Sequence, residues 1–374
     1  MSESWDVVIV GAGIVGAACA FQCASRGMRT AVVEAKSIGG GATAAGMGHI
    51  VVMDDSPAQL ALTHYSQTLW QELSKTLPAD VEYESCGTLW VAADDEEMLE
   101  VRRKSDVYAS AGVATEVLDA RTLADAEPQL RTPLAGALFV PSDAVLYPPC
   151  AAGYLMAKAR SLGAKLHRRK VLSAHSGEVR LDDGTHLNST HIVIASGADA
   201  CDLLPALPIK KRKGHLVITD RYPGFVRHQL VELGYLKSAH SSTADSVAFN
   251  VQPRKTGQLL IGSSRQYGAE DTTVNQPTVA AMTERAQSYL PNIGELSAIR
   301  VWTGFRAATP DKLPLIGPWP EDDSLFLATG HEGLGITTSL GTASLLVDYL
   351  EGTAPAIPAT PYLPARFARS VVSA

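Results

Sequence analysis

The sequence predicts an α/β fold in which a Rossmann-like nucleotide-binding domain is interrupted by a mostly antiparallel α+β insertion. Three observations carry that expectation. A strand–glycine–helix–strand–acid unit fills the first 34 residues. A second buried strand runs into glycine within "HLNSTHIVIASGADA" (186–200), behind an alternating meander. A third strand–glycine–helix passage, "SLFLATGHEGLGITTSLGTASLLVDYL", occupies 324–350.

The first unit is the most explicit. "DVVIV" (6–10) is a β-branched run of the kind buried on both faces. "GAGIVG" follows and fits G-x-G-x-x-G with Gly11, Gly13 and Gly16. Gly11 permits the tight turn, Gly13 lets the main chain approach a pyrophosphate, and Gly16 lets helix and strand pack closely. The helix begins at Ile14 and Val15 and ends near Arg26–Gly27, so its N-terminus is offered to phosphate. "RTAVVEA" (29–35) is the second strand, and Glu34 stands where an acid can bind both hydroxyls of an adenosine ribose. An acid there disfavours a 2′-phosphate.

Next comes "KSIGGGATAAGMGHI" (36–50), a long small-residue loop, and then a predicted helix over 56–77. Such a loop suits close main-chain contact with an extended ligand. "KLHRRKVLSAHSGEVRLDDGTHL" reads as an antiparallel meander with an Asp-Gly turn at 183–184. Meander, parallel strand and glycine turn together favour FAD over NAD and a glutathione-reductase-type arrangement. Strand-like runs at 214–219, 246–254 and 257–265, with a helix-like run at 278–290, mark the insertion. The expected division is 1–83, 135–208 and 305–374 for the FAD-binding domain, and 84–134 with 209–304 for the substrate domain.

Composition narrows the function. The 374 residues are 46% hydrophobic and carry a net charge of −7, which suits a large core and argues against nucleic acid. The dense basic run Lys210-Lys211-Arg212-Lys213 reads as a solvated strand edge. Five cysteines, an odd number with no CxxC, signal neither a disulfide framework nor a metal site and suit a reducing compartment, here the cytoplasm. Residues 5–24 are apolar, but Asp6 and three glycines interrupt them and no basic segment precedes them. They read as buried strand and helix rather than a signal or membrane span.

At this point the pattern resembles the D-amino-acid oxidase-like FAD oxidoreductases, which include D-amino acid dehydrogenases, glycine and sarcosine oxidases, and hydroxyproline-dehydrogenase-type subunits. "VVIVGAGIVGAACA", "VVEAKSIGGGATAAG", "IVIASGADA", "GFRAATPDKLPLIG" and "ATGHEGLGITTS" carry the resemblance, in order, over residues 7 to 339. It implies that Gly11, Gly13, Ile14, Val15, Gly16, Glu34, Ala35 and Lys36 hold the ADP half of FAD. Gly41, Ala42, Thr43, Ala44, Gly46, Met47 and Gly48 would follow the pyrophosphate and flavin. Val171 would meet adenine, and Ser196 and Gly197 the ribityl chain. Gly330, His331, Gly333, Leu334, Gly335, Ile336 and Thr337 would cover the pyrimidine end, and Gly304 and Arg306 would border the flavin. The loop after Glu34 has no Cys or His where a tethered flavin needs one, which implies non-covalent FAD. Where relatives often have Arg-Pro, this chain has Arg306-Ala307.

The resemblance also implies a reaction: hydride from the α-carbon of a small amino or imino acid to flavin N5, then hydrolysis of the imine. D-Amino acid, D-proline or hydroxyproline is the implied substrate type, and oxygen or a downstream acceptor takes the electrons. Partner subunits of a larger dehydrogenase are an alternative setting. Arg306 is the expected carboxylate anchor, because a guanidinium grips a carboxylate bidentately. A structural ion pair with Asp311 or another acid is the rival reading. Tyr147, His215 and Tyr235 are the other candidate catalytic residues. His49 and Arg265 also stand near the expected flavin roof, although ordinary packing accounts for each equally well. The Met47 and Met53 side chains read as core fillers. Flavin hydroxylases would need Gly-Asp where the chain has Gly330-His331-Glu332. Disulfide reductases would need a redox pair, and Cys19 and Cys23 sit on the first helix instead.

Overall fold

The computed structural model describes residues 4–234 and 245–367. The first half runs β1 (Ser4–Val10), α1 (Ile14–Ser25), β2 (Thr30–Val33), α2 (Gly41–Ala45), β3 (His49–Ile50), α3 (Pro57–Ser74), β4 (Thr88–Ala92), α4 (Asp95–Ser110), β5 (Glu116–Asp119), α5 (Ala120–Ala126), β6 (Gly136–Val140), β7 (Ala144–Val145) and α6 (Pro148–Ser161). The second half runs β8 (Lys165–His167), β9 (Val171–His175), β10 (Glu178–Leu181), β11 (His186–Ile194), β12 (Lys210–Thr219), β13 (Gln229–Glu232), β14 (Ser246–Pro253), β15 (Leu259–Tyr267), α7 (Gln276–Tyr289), β16 (Ala298–Ala308), β17 (Leu315–Trp319), β18 (Asp322–Thr329) and α8 (Gly335–Glu351).

Two large sheets divide the strands. The first has the order β17-β18-β11-β1-β2-β8, with β9 and β10 joined through β11. Its central pairings, β18 with β11, β11 with β1, β1 with β2 and β2 with β8, are parallel. Val7 and Ile9 of β1 face the helices, while Val8 and Val10 face the meander side, so the strand is apolar throughout. Alanines at 17, 18, 20 and 24 let α1 pack against α6 and α8. Ser56 caps α3 by accepting from the Gln59 N–H at 3.1 Å, with Pro57 at the first helical position.

The second sheet has the order β16-β12-β15-β14-β13-β4-β6-β5 and is antiparallel except between β13 and β4. Helix α7 covers one face, where Phe249 stacks on Tyr289 with ring centroids 4.4 Å apart. The other face meets the first half of the molecule. There Trp302 Nε1 donates to Ala45 O at 3.3 Å and Gln252 Nε2 to Met47 O at 2.7 Å.

Several expectations need correction. The stretch 84–134 is not only strand: it contains the 16-residue α4, capped by Asp94 on the Glu97 N–H at 2.9 Å. The loop 36–50 is broken by α2 and β3. The basic run 210–213 is no solvated edge. It opens β12, an interior strand, where Lys210 and Lys211 are exposed but Arg212 and Lys213 are buried. Arg212 pairs with Glu332, and Lys213 Nζ lies 3.1 Å from Asp271. Strand β6, expected with the nucleotide-binding segments, lies in the second sheet, and β16 runs across the expected boundary at 304/305.

Candidate active site

A cleft of about 590 Å³ is lined by both sheets, and most of the singled-out residues meet there. At the nucleotide end the main chain does the shaping. Gly11 has φ +105°, and a Cβ there would lie 2.8 Å from Ala195 O. A Cβ at Gly16 would lie 2.0 Å from Gly11 O, so Gly16 serves packing and is itself outside the lining. Helix α1 has no side-chain cap on its N-cap residue Gly13. Thr43 Oγ1 accepts from the Ile14 N–H at 3.0 Å, while Gly13 and Val15 border open space at the helix N-terminus. Glu34 is held rigidly: Oε2 accepts from the Ala12 N–H and Oε1 from the Lys36 N–H, each at 2.7 Å. Ala35, Lys36, Gly41, Ala42, Gly46 and Met47 continue the wall, with Val171, Ser196 and Gly197 opposite.

At the far end the turn before α8 contributes Gly330, His331, Gly333, Leu334, Gly335 and Ile336. His331 is buried with Nε2 2.9 Å from Thr342 Oγ1, and burial pushes its imidazole down to about 3. The Glu332 N–H donates to Ala307 O at 2.9 Å, and the Glu332 carboxylate pairs with buried Arg212. That buried pair ties the turn to β12.

Arg306 sits beside this turn, where a Cβ on Gly333 would lie 3.6 Å from its Nε. Its Nη1 donates to Ser264 O at 3.0 Å, and Gly214 leaves the guanidinium room, since a Cβ there would come 2.5 Å from Nη1. Asp311 is engaged with Arg366, whose Nε lies 2.6 Å from it. Burial holds His49 down to about 4; a Gly333 backbone hydrogen bond opposes this and the Arg306 charge reinforces it.

His215 lines the cleft, but the fold uses both its ring nitrogens. Nε2 accepts from the Asn275 N–H at 3.0 Å, which leaves the proton on Nδ1, 3.0 Å from Ser264 Oγ. Burial first, then the charges of Lys213 and Arg306, lowers its proton affinity. It is therefore a neutral strut behind Ser264, whose carbonyl holds Arg306, rather than an available base.

Other expected site residues fall outside the lining. Tyr147 caps α6 and lies under the Arg254 guanidinium, 4.4 Å from the ring centroid. Gly48 is required by Leu146 O, which a Cβ would approach to 2.0 Å. Thr337 Oγ1 donates to His49 O at 2.9 Å, bracing β3. Ala44 is on α2 but not in the lining, whereas Gly304 and Arg265 are in it. Met47 and Met53 line the cleft rather than only filling the core. Tyr235 lies outside the described residues. Sequence reasoning passed over Trp90, Gln229, Asn250 and Ser263 on the second-sheet wall. An amide in an otherwise apolar strand, as in "QLVE" and "AFNVQ", was the signal available.

Comparisons with known proteins show the family and the fold. A family model described as "FAD dependent oxidoreductase" (DAO) matches residues 6–349. The glycine oxidase of Geobacillus kaustophilus is 29% identical over 97% of each chain, and its crystal structure superposes with a TM-score of 0.86 over 97% of this chain and 98% of that one. Hydrogen cyanide synthase subunit HcnC of Pseudomonas aeruginosa is 27% identical, covering 98% of this chain and 97% of that protein. L-Proline dehydrogenase from P. horikoshii, 23% identical, shares the fold with a TM-score of 0.86 over 98% of each chain.

Proposed function

We propose, because this chain belongs to the DAO family of FAD-dependent oxidoreductases, that it oxidises a small amino or imino acid at the α-carbon, with Arg306 holding the carboxylate. FAD suits the residues present: two glycines whose Cβ atoms would strike main chain, a helix N-terminus facing the cleft and an acid, Glu34, in the cleft lining. Gly11, Gly13, Val15 and Glu34 would hold its ADP half, and the 330–336 turn the other end. When bound, FAD supplies the acceptor of two electrons. The chain's own residues bind, orient and keep the site dry. Arg306 carries the reading: it is a permanent cation seated on Ser264 O in the cleft, with Gly214 leaving it room. His49 and His331, neutral well below the usual histidine range, would add no competing charge.

The relatives support two electron acceptors. Glycine oxidase supports oxygen; HcnC, a subunit by name, supports transfer to a partner protein. We take a D-amino acid or cyclic imino acid as substrate, a non-covalent flavin, and a cytoplasmic setting supported by five unpaired cysteines. Among the described residues no helix is long and apolar enough to cross a membrane. The test is anaerobic mixing of the purified holoenzyme with glycine, sarcosine, D-amino acids and cyclic imino acids. Bleaching of the band near ~450 nm is the expected outcome. A band unchanged by every one of them would overturn the reading. The same mixture in air, assayed for peroxide, separates oxidase from dehydrogenase.

A further inference from the structure

The wall opposite the glycine loops carries polarity that the chemistry so far leaves unused. In the register of the second sheet Trp90 is beside Val231, Val231 beside Asn250, and Asn250 beside Gly262. Gln229 stands two residues before Val231 on β13 and so projects from the same face. Trp90, Gln229 and Asn250 are 2%, 3% and 9% exposed, and all three border the cleft. The Trp90 Nε1, Gln229 Oε1 and Asn250 Oδ1 atoms are buried without a hydrogen-bond partner. Buried polar atoms are normally satisfied, so three on one wall point to a missing ligand group. Trp90 is also fixed in place, because the Lys104 ammonium lies 4.4 Å from its ring centroid and is paired with Asp54.

Resting on the reading of Arg306 as the carboxylate anchor, we infer that Gln229 and Asn250, with Trp90, form a subsite for a neutral hydrogen-bonding substituent on the substrate, of which a hydroxyl is the simplest. The chemistry of the wall selects this class. Two amides and an indole carry no formal charge, so they do not repay the desolvation of a second carboxylate or an ammonium. An amide offers both donor and acceptor, which a hydroxyl complements and a methylene does not. The placement agrees. Ser264, which holds Arg306, and Gly262, the neighbour of Asn250, are two residues apart on β15. One strand spacing and two residues of rise put the anchor and Asn250 on the order of 8 Å apart, and Gln229 stands one strand and two residues farther out. That span accommodates a small amino acid with a hydrogen bond at each end.

The experiment compares kcat/KM of the holoenzyme for D-serine against D-alanine, and for 4-hydroxy-D-proline against D-proline. A site that hydrogen-bonds a hydroxyl rejects the analogue lacking it, so one pair should differ by at least ~100-fold. Asn250→Leu and Gln229→Met should each reduce that ratio at least ~10-fold while flavin content stays at the parent value. Binding of the inert tetrahydrofuran-2-carboxylate and its 4-hydroxy derivative, followed by perturbation of the flavin band, should show the same preference and the same loss. Oxidation of both members of each pair at similar rates overturns the subsite and leaves the proposed function standing. A ratio unchanged in both variants also overturns it, as does loss of FAD from them, which would assign the amides to the cofactor. A flavin that no amino or imino acid reduces overturns the proposed function, and the subsite with it.

Discussion

At the nucleotide end of the cleft, much of the lining comes from one short stretch, the Gly11–Val15 segment at the α1 N-terminus and Glu34. At the substrate end they are side chains from strands far apart in sequence: Trp90 on β4, Gln229 on β13, Asn250 on β14 and Arg306 on β16. The first end recognises through backbone geometry, which only glycine permits. The second recognises through side-chain chemistry on a common scaffold. Cofactor recognition should therefore be broken by adding atoms, and substrate recognition by exchanging functional groups.

Adding atoms should break the cofactor end. In Gly16→Ala the new Cβ meets Gly11 O at 2.0 Å, and main chain cannot give way cheaply. We expect the ratio of flavin to protein absorbance to fall at least ~5-fold, since overpacking of roughly 1–3 kcal/mol acts directly on the cradle. An unchanged ratio would mean that strand and helix part without cost. Arg306→Ala should divide the two ends more sharply. Removing a charge-assisted partner of a carboxylate costs roughly 2–5 kcal/mol, so kcat/KM should drop roughly 30-fold to several thousand-fold with flavin content intact. Flavin lost together with activity would place Arg306 in the scaffold.

A smaller, pH-dependent effect concerns the seam between the ends. His49 and His331 are held down to about 4 and about 3 by burial, so between pH 6.5 and 4 the unfolded chain binds protons the native one does not. Their stability contribution is present above pH 6.5 and is lost as pH falls. Asp143, pushed up to about 7 by burial, has the opposite sign: its contribution is lost as pH rises from about 4 to 7. His331→Asn should flatten the acid-side fall of stability by about 1.4 kcal/mol per pH unit, the worth of one proton, in melts between pH 4.5 and 6.5. An unchanged slope would show that His331 is protonated in the native state. The smallest effect belongs to Tyr147→Phe. Its ring stacks under Arg254 away from the cleft, so kcat/KM should stay within ~2-fold of the parent, as for substitutions remote from a site. A tenfold loss would bring Tyr147 back into the site.

These contrasts explain what could be read early. The strand, glycines, helix and Glu34 are legible because each requirement is local: a turn, a close approach, a helix end. The Gly330–Ile336 turn is legible for the same reason. The run 210–213 was misjudged because hydrophobicity cannot foresee a partner, and Arg212 is buried only because Glu332, 120 residues away, neutralises it. His215 looked like a base because nothing local shows that Asn275 and Ser264 occupy both its nitrogens.

The sequence by itself determined the nucleotide-binding unit, the α/β class, the family and the presence of an arginine near the flavin turn, all encoded in residues within one or two turns of chain. Only the tertiary structure decided that Arg306 rests on Ser264 across from Gly214, that Tyr147 faces away, and that Trp90, Gln229 and Asn250 share one wall. The physical reason is register. Cross-strand neighbours are set by pairing over separations of 19 to 141 residues, and a shift of one residue turns every side chain to the opposite face.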